Sequence, residues 1–210
     1  MTHSPAGMGE HYSSARPTSR RRPADVSVVV RGIPLTLRTD AGVFSRGALD
    51  RGTELLIEAL DLGPCELILD LGCGYGAIGI AASKLSEGGH VVLTDVNPRA
   101  ARLAKENLRT NDVANAEVRV GDLYEPVRGM AFDHILSNPP LRAGRAVVDR
   151  IVAEAPAHLL DGGRLWLVAR TRQGADALRK RMADAFGAAQ VVRRGSGYKV
   201  LSASKAAGSP

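Results

Sequence analysis

Apolar positions along the chain follow two rhythms. Val26-Ser27-Val28-Val29-Val30 and Leu35-Thr36-Leu37 are short strand-like runs separated by Gly32-Ile33-Pro34, which predicts a hairpin turning at those three residues. From Asp50 to Leu60 the rhythm changes, and Leu55, Leu56, Ala59 and Leu60 recur at helical spacing. Beyond Leu67 the two rhythms alternate. Strands are predicted at Leu67–Leu69, His90–Thr94, Glu117–Val120, Phe132–Leu136 and Arg164–Ala169. Helices are predicted at Ala77–Leu85, Pro98–Leu108 and Ala175–Phe186, with Pro98 in a first turn where its missing N–H costs nothing. Val148, Ile151, Val152, Ala155 and Leu159 line one face of a further helix. Only a short polar link joins the strands ending at Val120 and starting at Phe132. Gln190–Val192 and Tyr198–Leu201 close the pattern as a hairpin around Gly195-Ser196-Gly197.

Alternating strand and helix means an α/β domain with a mostly parallel sheet covered on both faces, and the last hairpin adds an antiparallel edge. The domain is expected over 25–202. Residues 1–24 are rich in Ser, Pro, Gly and Arg without apolar period and read as a disordered basic tail, and 203–210 read as a second disordered tail. A length of 210 residues with 44% hydrophobic content suits one domain that needs no metal or disulfide to fold. No apolar run approaches the roughly 20 residues of a membrane span. Cys65 and Cys73, without supporting histidines, do not make a structural zinc site and read as reduced thiols, which places the chain in the cytoplasm. The net charge is +6, and four arginines stand against Glu10 alone in residues 1–24. Arginine-rich charge suits a nucleic-acid partner, and it equally suits arginine-favouring codon usage.

Chemistry concentrates at strand ends. Asp70-Leu71-Gly72-Cys73-Gly74-Tyr75-Gly76 stands where the first sheet strand gives way to a helix. Its alternate glycines allow positive φ and clear the space where a ligand meets backbone, at the strand end where open α/β sheets bind ligands. A tight packing turn uses the same residues. Gly72, Gly74 and Ala77 also satisfy the dinucleotide pattern G-x-G-x-x-A, with Asp95 closing the next strand, so a nicotinamide-dependent oxidoreductase stays open. Asp70 points elsewhere, because a carboxylate there repels a pyrophosphate and suits an ammonium or sulfonium. S-adenosylmethionine carries both cations. Asp95 is placed to accept from ribose hydroxyls, and Asp122 from an adenine amino group. Each acid alone also suits a solvated strand end, but three at successive strand ends face one crevice.

The most specific segment is Phe132-Asp133-His134-Ile135-Leu136-Ser137-Asn138-Pro139-Pro140-Leu141. Two prolines after a buried strand remove two donors, stiffen the backbone and leave carbonyls free. Asn138 adds an amide oxygen. Such acceptors fit an NH2 group, and bonds to its two protons would aim the nitrogen lone pair at an electrophilic methyl. His134 and Trp166, inside strands, read as structural.

Asp70 to Gly76 together with Asn138-Pro139-Pro140-Leu141 resembles a class I S-adenosylmethionine-dependent methyltransferase of the Asn-Pro-Pro group. The likeness is to the small methyltransferase domain of 16S ribosomal RNA guanine-N2 methyltransferases and their stand-alone relatives. Gly42-Val43-Phe44-Ser45 and Leu49 to Leu56 resemble that family's lead-in, and Leu141-Arg142-Ala143-Gly144-Arg145 resembles the stand-alone members. The resemblance spans roughly 26–202. It implies a Rossmann-like seven-stranded sheet with a reversed C-terminal hairpin and an N-terminal β-hairpin extension. Asp70, Gly72, Gly74 and Gly76 would hold the methionine end of the cofactor, Asp95 its ribose and Asp122 its adenine. Asn138 and Pro139, with Pro140 stiffening the turn, would hold the target nitrogen. The fourth motif position, often Phe or Tyr in the family, is Leu141 here, which leaves Phe44 as a candidate for stacking on the base. Arg142 and Arg145 are candidate phosphate contacts.

The expected activity is N-methylation of an exocyclic amine in ribosomal RNA, by direct transfer with no covalent enzyme intermediate. Methylation of a protein glutamine amide would use the same acceptors. A catalytically silent RNA-binding module is the third alternative, beside the nicotinamide enzyme.

Overall fold

A computed structural model describes residues 23–40, 48–140 and 145–208. Most of the expected N-terminal tail (1–22), together with Phe44, Leu141 and Arg142, lies outside the described residues. Two strands, β1 (Ala24–Val30) and β2 (Ile33–Thr39), form an antiparallel hairpin of their own. Its turn is Arg31-Gly32 and not Gly32-Ile33-Pro34. Both turn residues take positive φ (53° and 76°), the geometry of a two-residue hairpin, and Pro34 stands in the strand opposite Val29.

The main sheet follows in the order β5-β4-β3-β6-β7-β9-β8. Its strands are β3 (Leu67–Leu71), β4 (His90–Asp95), β5 (Ala116–Val120), β6 (Phe132–Ser137), β7 (Leu159–Arg170), β8 (Gln190–Gly195) and β9 (Tyr198–Ser204). The first five are parallel, and β9 runs antiparallel between β7 and β8. This is the Rossmann-like α/β sheet expected, with reversal in the last hairpin. The crevice lies where the strand order departs from β3 in both directions, at the carboxyl ends of β3 and β6.

Helices α1 (Arg51–Ala59), α2 (Ala77–Leu85) and α3 (Pro98–Thr110) pack on one face together with Val26, Leu35 and Leu37 of the hairpin. Helices α4 (Arg145–Glu154) and α5 (Ala175–Phe186) cover the other through residues such as Ile151, Val152, Leu178 and Met182. Leu159 is not on α4 but opens β7, because Pro156 interrupts the helix and a 3-10 turn (Ala155–His158) intervenes. The link between β5 and β6 holds one 3-10 turn (Glu125–Val127). The last strand continues to Ser204, past the boundary expected at 202, and Lys205 N–H still bonds Gly163 O at 2.9 Å. Among the described residues no helix is long and apolar enough to cross a membrane.

Two asparagines one helical turn apart fasten the hairpin to the domain. Asn107 of α3 and Asn111, which caps its C-terminus, are buried and pair with the free edge of β2 as a neighbouring strand would. Asn111 accepts from Thr36 N–H (3.0 Å) and donates to Thr36 O (2.8 Å); Asn107 does the same for Arg38 (2.7 and 2.9 Å). Asn107 also donates to Tyr75 O at 2.9 Å, joining the hairpin to the glycine turn. At the base of the sheet, Trp166 donates to His134 Nδ1 (2.9 Å) and His134 Nε2 faces Glu66 (3.0 Å), a buried structural pair as expected.

Candidate active site

A cleft of about 220 Å³ opens at the carboxyl ends of β3, β4, β5 and β6. Its floor is the turn after β3. Gly72, Gly74 and Gly76 all take positive φ (73°, 58° and 93°), a region open to glycine at little cost. Their roles differ. A Cβ at Gly72 or Gly74 would meet nothing within 4 Å, so these two hold open the space a ligand enters. A Cβ at Gly76 would press on Ala104 Cβ at 3.2 Å and Leu93 at 3.3 Å, and Gly76 does not line the cleft. Its bareness serves packing against α3 and β4. The turn is held by its own backbone: Gly72 N–H and Cys73 N–H both donate to Thr94 O at 2.9 Å.

The three acids separate in the same way. Asp95 lines the cleft, and its carboxylate accepts from Gly74 N–H and Asn97 N–H, both at 2.8 Å. Burial raises its pKa against those two donors. Asp70 lies behind the turn, fully buried and off the cleft wall. One oxygen accepts from Gly79 N–H at 2.8 Å, the other has no partner among the described residues, and burial pushes the carboxyl up to about 7. Asp122 lines the cleft half-exposed and pairs with Arg150 of α4 at 2.7 Å, a partner that the sequence pattern does not disclose. Apolar walls rise from both layers, Ile78 and Ala100 on one side of the sheet and Leu123, Val147 and Ile151 on the other.

The opposite wall is Ser137-Asn138-Pro139-Pro140. Ser137 Oγ donates to Leu71 O at 2.7 Å and ties the end of β6 to the glycine turn. Asn138 Nδ2 donates to Asp50 Oδ2 and Thr53 Oγ1, both at 3.0 Å. Among the described residues nothing donates to its Oδ1. Asp50 is the N-cap of α1, accepting from Gly52 N–H (2.9 Å) and Thr53 N–H (3.1 Å), and Tyr198 Oη donates to its other oxygen at 3.2 Å. Asp50, Thr53 and Tyr198 are functional candidates that sequence reasoning missed. An acid directly before a helical pattern signals an N-cap, but nothing local links it to positions 138 and 198. Arg145, the first residue of α4, is exposed.

These residues fit S-adenosylmethionine. The glycine cradle is open, Asp95 offers a carboxylate at a strand end, and apolar walls flank the space between.

The methyltransferase small domain family model matches residues 34–202. The chain is 36% identical over 200 residues to YbxB of Bacillus subtilis, covering 94% of this chain and all of that one. It is 37% identical over 142 residues to ribosomal RNA small subunit methyltransferase C of Haemophilus influenzae, covering 65% of this chain and 42% of that protein. Among solved structures it is similar to the T. thermophilus 16S rRNA guanine-N2 methyltransferase RsmC, in complex with AdoMet and guanosine. That match has a TM-score of 0.78 at 30% identity and covers 90% of this chain and 52% of the other. The chain thus spans about half the length of the named RNA methyltransferases. The nicotinamide alternative falls with these matches, since the G-x-G-x-x-A pattern is here the glycine turn of a methyl-transfer fold. The chain belongs to the methyltransferase small domain family and is an S-adenosylmethionine-dependent methyltransferase.

Proposed function

We propose that the chain methylates an exocyclic amino group of a nucleobase in ribosomal RNA, in the cytoplasm, with guanine N2 the favoured target. The observation that carries this reading is the engagement of Asn138, a residue of the cleft wall whose two amide protons are both taken, which leaves its oxygen as the acceptor to offer. A target amine brings two protons, and Asn138 Oδ1 and the Pro139 carbonyl accept them.

In this reading Gly72, Gly74 and Asp95 line the cofactor, with Asp95 receiving ribose hydroxyls and Asp122 the adenine amino group. Asp70 and Gly76 act through the turn they support. The bound cofactor supplies an electrophilic methyl on a sulfonium. The residues of the chain orient the amine, keep its lone pair toward that methyl and stabilise the positive charge it acquires. The proton leaves afterwards, so no side chain acts as a strong base. Holding the two reactants in line contributes about 7–11 kcal/mol of the barrier.

Support for RNA comes from the named relatives and from charge at the rim. Because β7 runs parallel to β6 and Ser137 pairs with Leu167, Arg170 leaves the sheet at the same edge as Asn138. Exposed Arg145, Arg172 and Arg194 stand on the elements that begin or end there. Arginines so placed suit phosphates, and binding through them falls with salt.

The test is nucleoside mass spectrometry of 16S ribosomal RNA from a strain lacking the gene, followed by methylation of that RNA by purified enzyme. One methylated guanosine missing in the strain and restored in vitro is expected. Asn138→Ala should cut turnover by about 100- to 1,000-fold, the cost of one acceptor aimed at developing charge, with S-adenosylhomocysteine affinity changed less than about twofold. Methyl transfer to protein glutamine instead, or RNA affinity indifferent to salt, overturns the reading.

A further inference from the structure

We propose that Asp50 and Thr53, at the start of α1, are positioning residues for methyl transfer: they clamp Asn138 by its amide protons, and the charge of Asp50 strengthens its Oδ1 as an acceptor. The inference rests on the reading that Asn138 receives the target amine.

The geometry accounts for every proton involved. Asn138 Nδ2 carries two, and Asp50 Oδ2 and Thr53 Oγ1 take one each at 3.0 Å. A flipped amide would set Oδ1 against a carboxylate oxygen and leave Nδ2 facing the cleft. Repulsion forbids that state, so the orientation is fixed before substrate arrives. Thr53 is buried and lines the cleft beside Asn138.

An N-cap by itself needs only the two backbone donors, Gly52 and Thr53. Asp50 is held by more than that. Tyr198 of β9 donates to Oδ1 at 3.2 Å, and the Arg170 guanidinium lies 5.0 Å from the centre of the Tyr198 ring. Room for the ring depends on Gly52, where a Cβ would fall 2.7 Å from Tyr198 Cε1 and 2.8 Å from Asp50 Oδ2. Elements 88 and 148 residues apart from Asp50 thus meet on one carboxylate.

The charge has a consequence for chemistry. A carboxylate bonded to the N–H side of an amide polarises it, and electron density moves to the oxygen. That oxygen faces an amine turning cationic as its new N–C bond forms, so the bond it accepts strengthens along the reaction coordinate. Such an interaction acts on turnover and leaves cofactor binding alone.

Three variants separate charge, contact and shape. Asp50→Asn keeps an acceptor for Gly52, Thr53 and Asn138 and presents an NH2 to Tyr198, so the hydrogen bonds remain while the charge is lost. Thr53→Val removes one acceptor at constant shape and leaves the cap intact. Thr53→Ser restores the hydroxyl. In single-turnover methylation of 16S ribosomal RNA from the deletion strain, Asp50→Asn should lower the rate about 10- to 100-fold and Thr53→Val about tenfold. Thr53→Ser should stay within about twofold of the parent, as should RNA KM and S-adenosylhomocysteine Kd in all three. A second readout needs no substrate. The Asn138 side-chain amide signals in a ¹⁵N–¹H correlation spectrum, assigned by their loss in Asn138→Asp, should exchange slowly with water. One proton should exchange faster in Thr53→Val. Unchanged rates in Asp50→Asn and Thr53→Val, beside an inactive Asn138→Ala, overturn the clamp and leave the reading of Asn138 standing. Fast exchange of both amide protons in the parent also overturns the clamp. An active Asn138→Ala overturns the reading and the clamp with it.

Discussion

The glycine turn and the Asn-Pro-Pro turn leave neighbouring strands and face one cleft, yet different groups are held in each. Around the glycine turn the groups held belong to the main chain. Thr94 O takes two amides, Asp95 takes Gly74 and Asn97, Asp70 takes Gly79, and Ser137 and Asn107 donate to Leu71 O and Tyr75 O. Around Asn138 the holding is done by side chains that meet only after folding, from positions 50, 53 and 198. The first wall is therefore a backbone shape, intolerant of a Cβ at the wrong place. The second is a set of functional groups whose chemistry can change while the fold stays.

The largest effect expected lies behind the first wall. Burial holds the Asp70 carboxyl at about 7 against an ordinary 3.8. The unfolded chain releases this proton near 3.8 and the folded chain keeps it until about 7. Each pH unit between those limits costs the folded state about 1.4 kcal/mol, some 4 kcal/mol at most, and above the upper limit the loss stops growing. In Asp70→Asn that loss is absent. Urea unfolding across the interval should show the variant gaining on its parent as pH rises and holding level above it. A pH-independent difference would mean that the carboxyl is not held by burial.

Next comes Gly74→Val. At φ 58° a β-branched residue is strained by about 2 kcal/mol, and its side chain fills the open cradle. Calorimetry should show S-adenosylhomocysteine affinity falling about thirtyfold or more. Here Kd moves, whereas at Asn138 turnover moves. A variant that bound normally but turned over slowly would erase the distinction between the walls.

The smallest effect sharpens the comparison. Asn107→Ala removes side-chain bonds to Arg38 and to Tyr75 O, and should lower unfolding free energy by about 1–2 kcal/mol. Because Asn107 reaches the glycine turn, cofactor affinity should weaken slightly while turnover at saturation stays level. A large turnover defect would place the hairpin on the target side instead.

This division also explains what could be read in the chain. The helices from Ala77 to Leu85 and from Ala175 to Phe186 stand where the spacing predicts, since apolar period is a local property. The hairpin turns at Arg31-Gly32, ahead of the place Pro34 suggests, because an Arg-Gly pair with both φ positive carries a weaker signal in sequence than a proline. Leu159 continued the helical period of α4 by coincidence. At the site, the glycine spacing and the Asn-Pro-Pro run are local words. The clamp on Asn138, the ion pair of Asp122 with Arg150 and the asparagine edge of α3 join residues at least 28 positions apart, and no periodicity encodes such meetings. Even Gly76, the third glycine of one motif, needed its neighbours Ala104 and Leu93 to reveal a packing role.

Tyr198 belongs to the outermost hairpin of the sheet, where β8 forms the rim and its residues are mostly in contact with water. Rims of sheets open in brief excursions that leave the interior closed. An excursion confined to the Gly195–Tyr198 end of the hairpin, with Val200 and Leu201 still buried, would free the phenol from Asp50, so catalytic competence should fade with warming ahead of the bulk melt. Amide exchange along β9 would then track the working lifetime of the enzyme more closely than its melting temperature does.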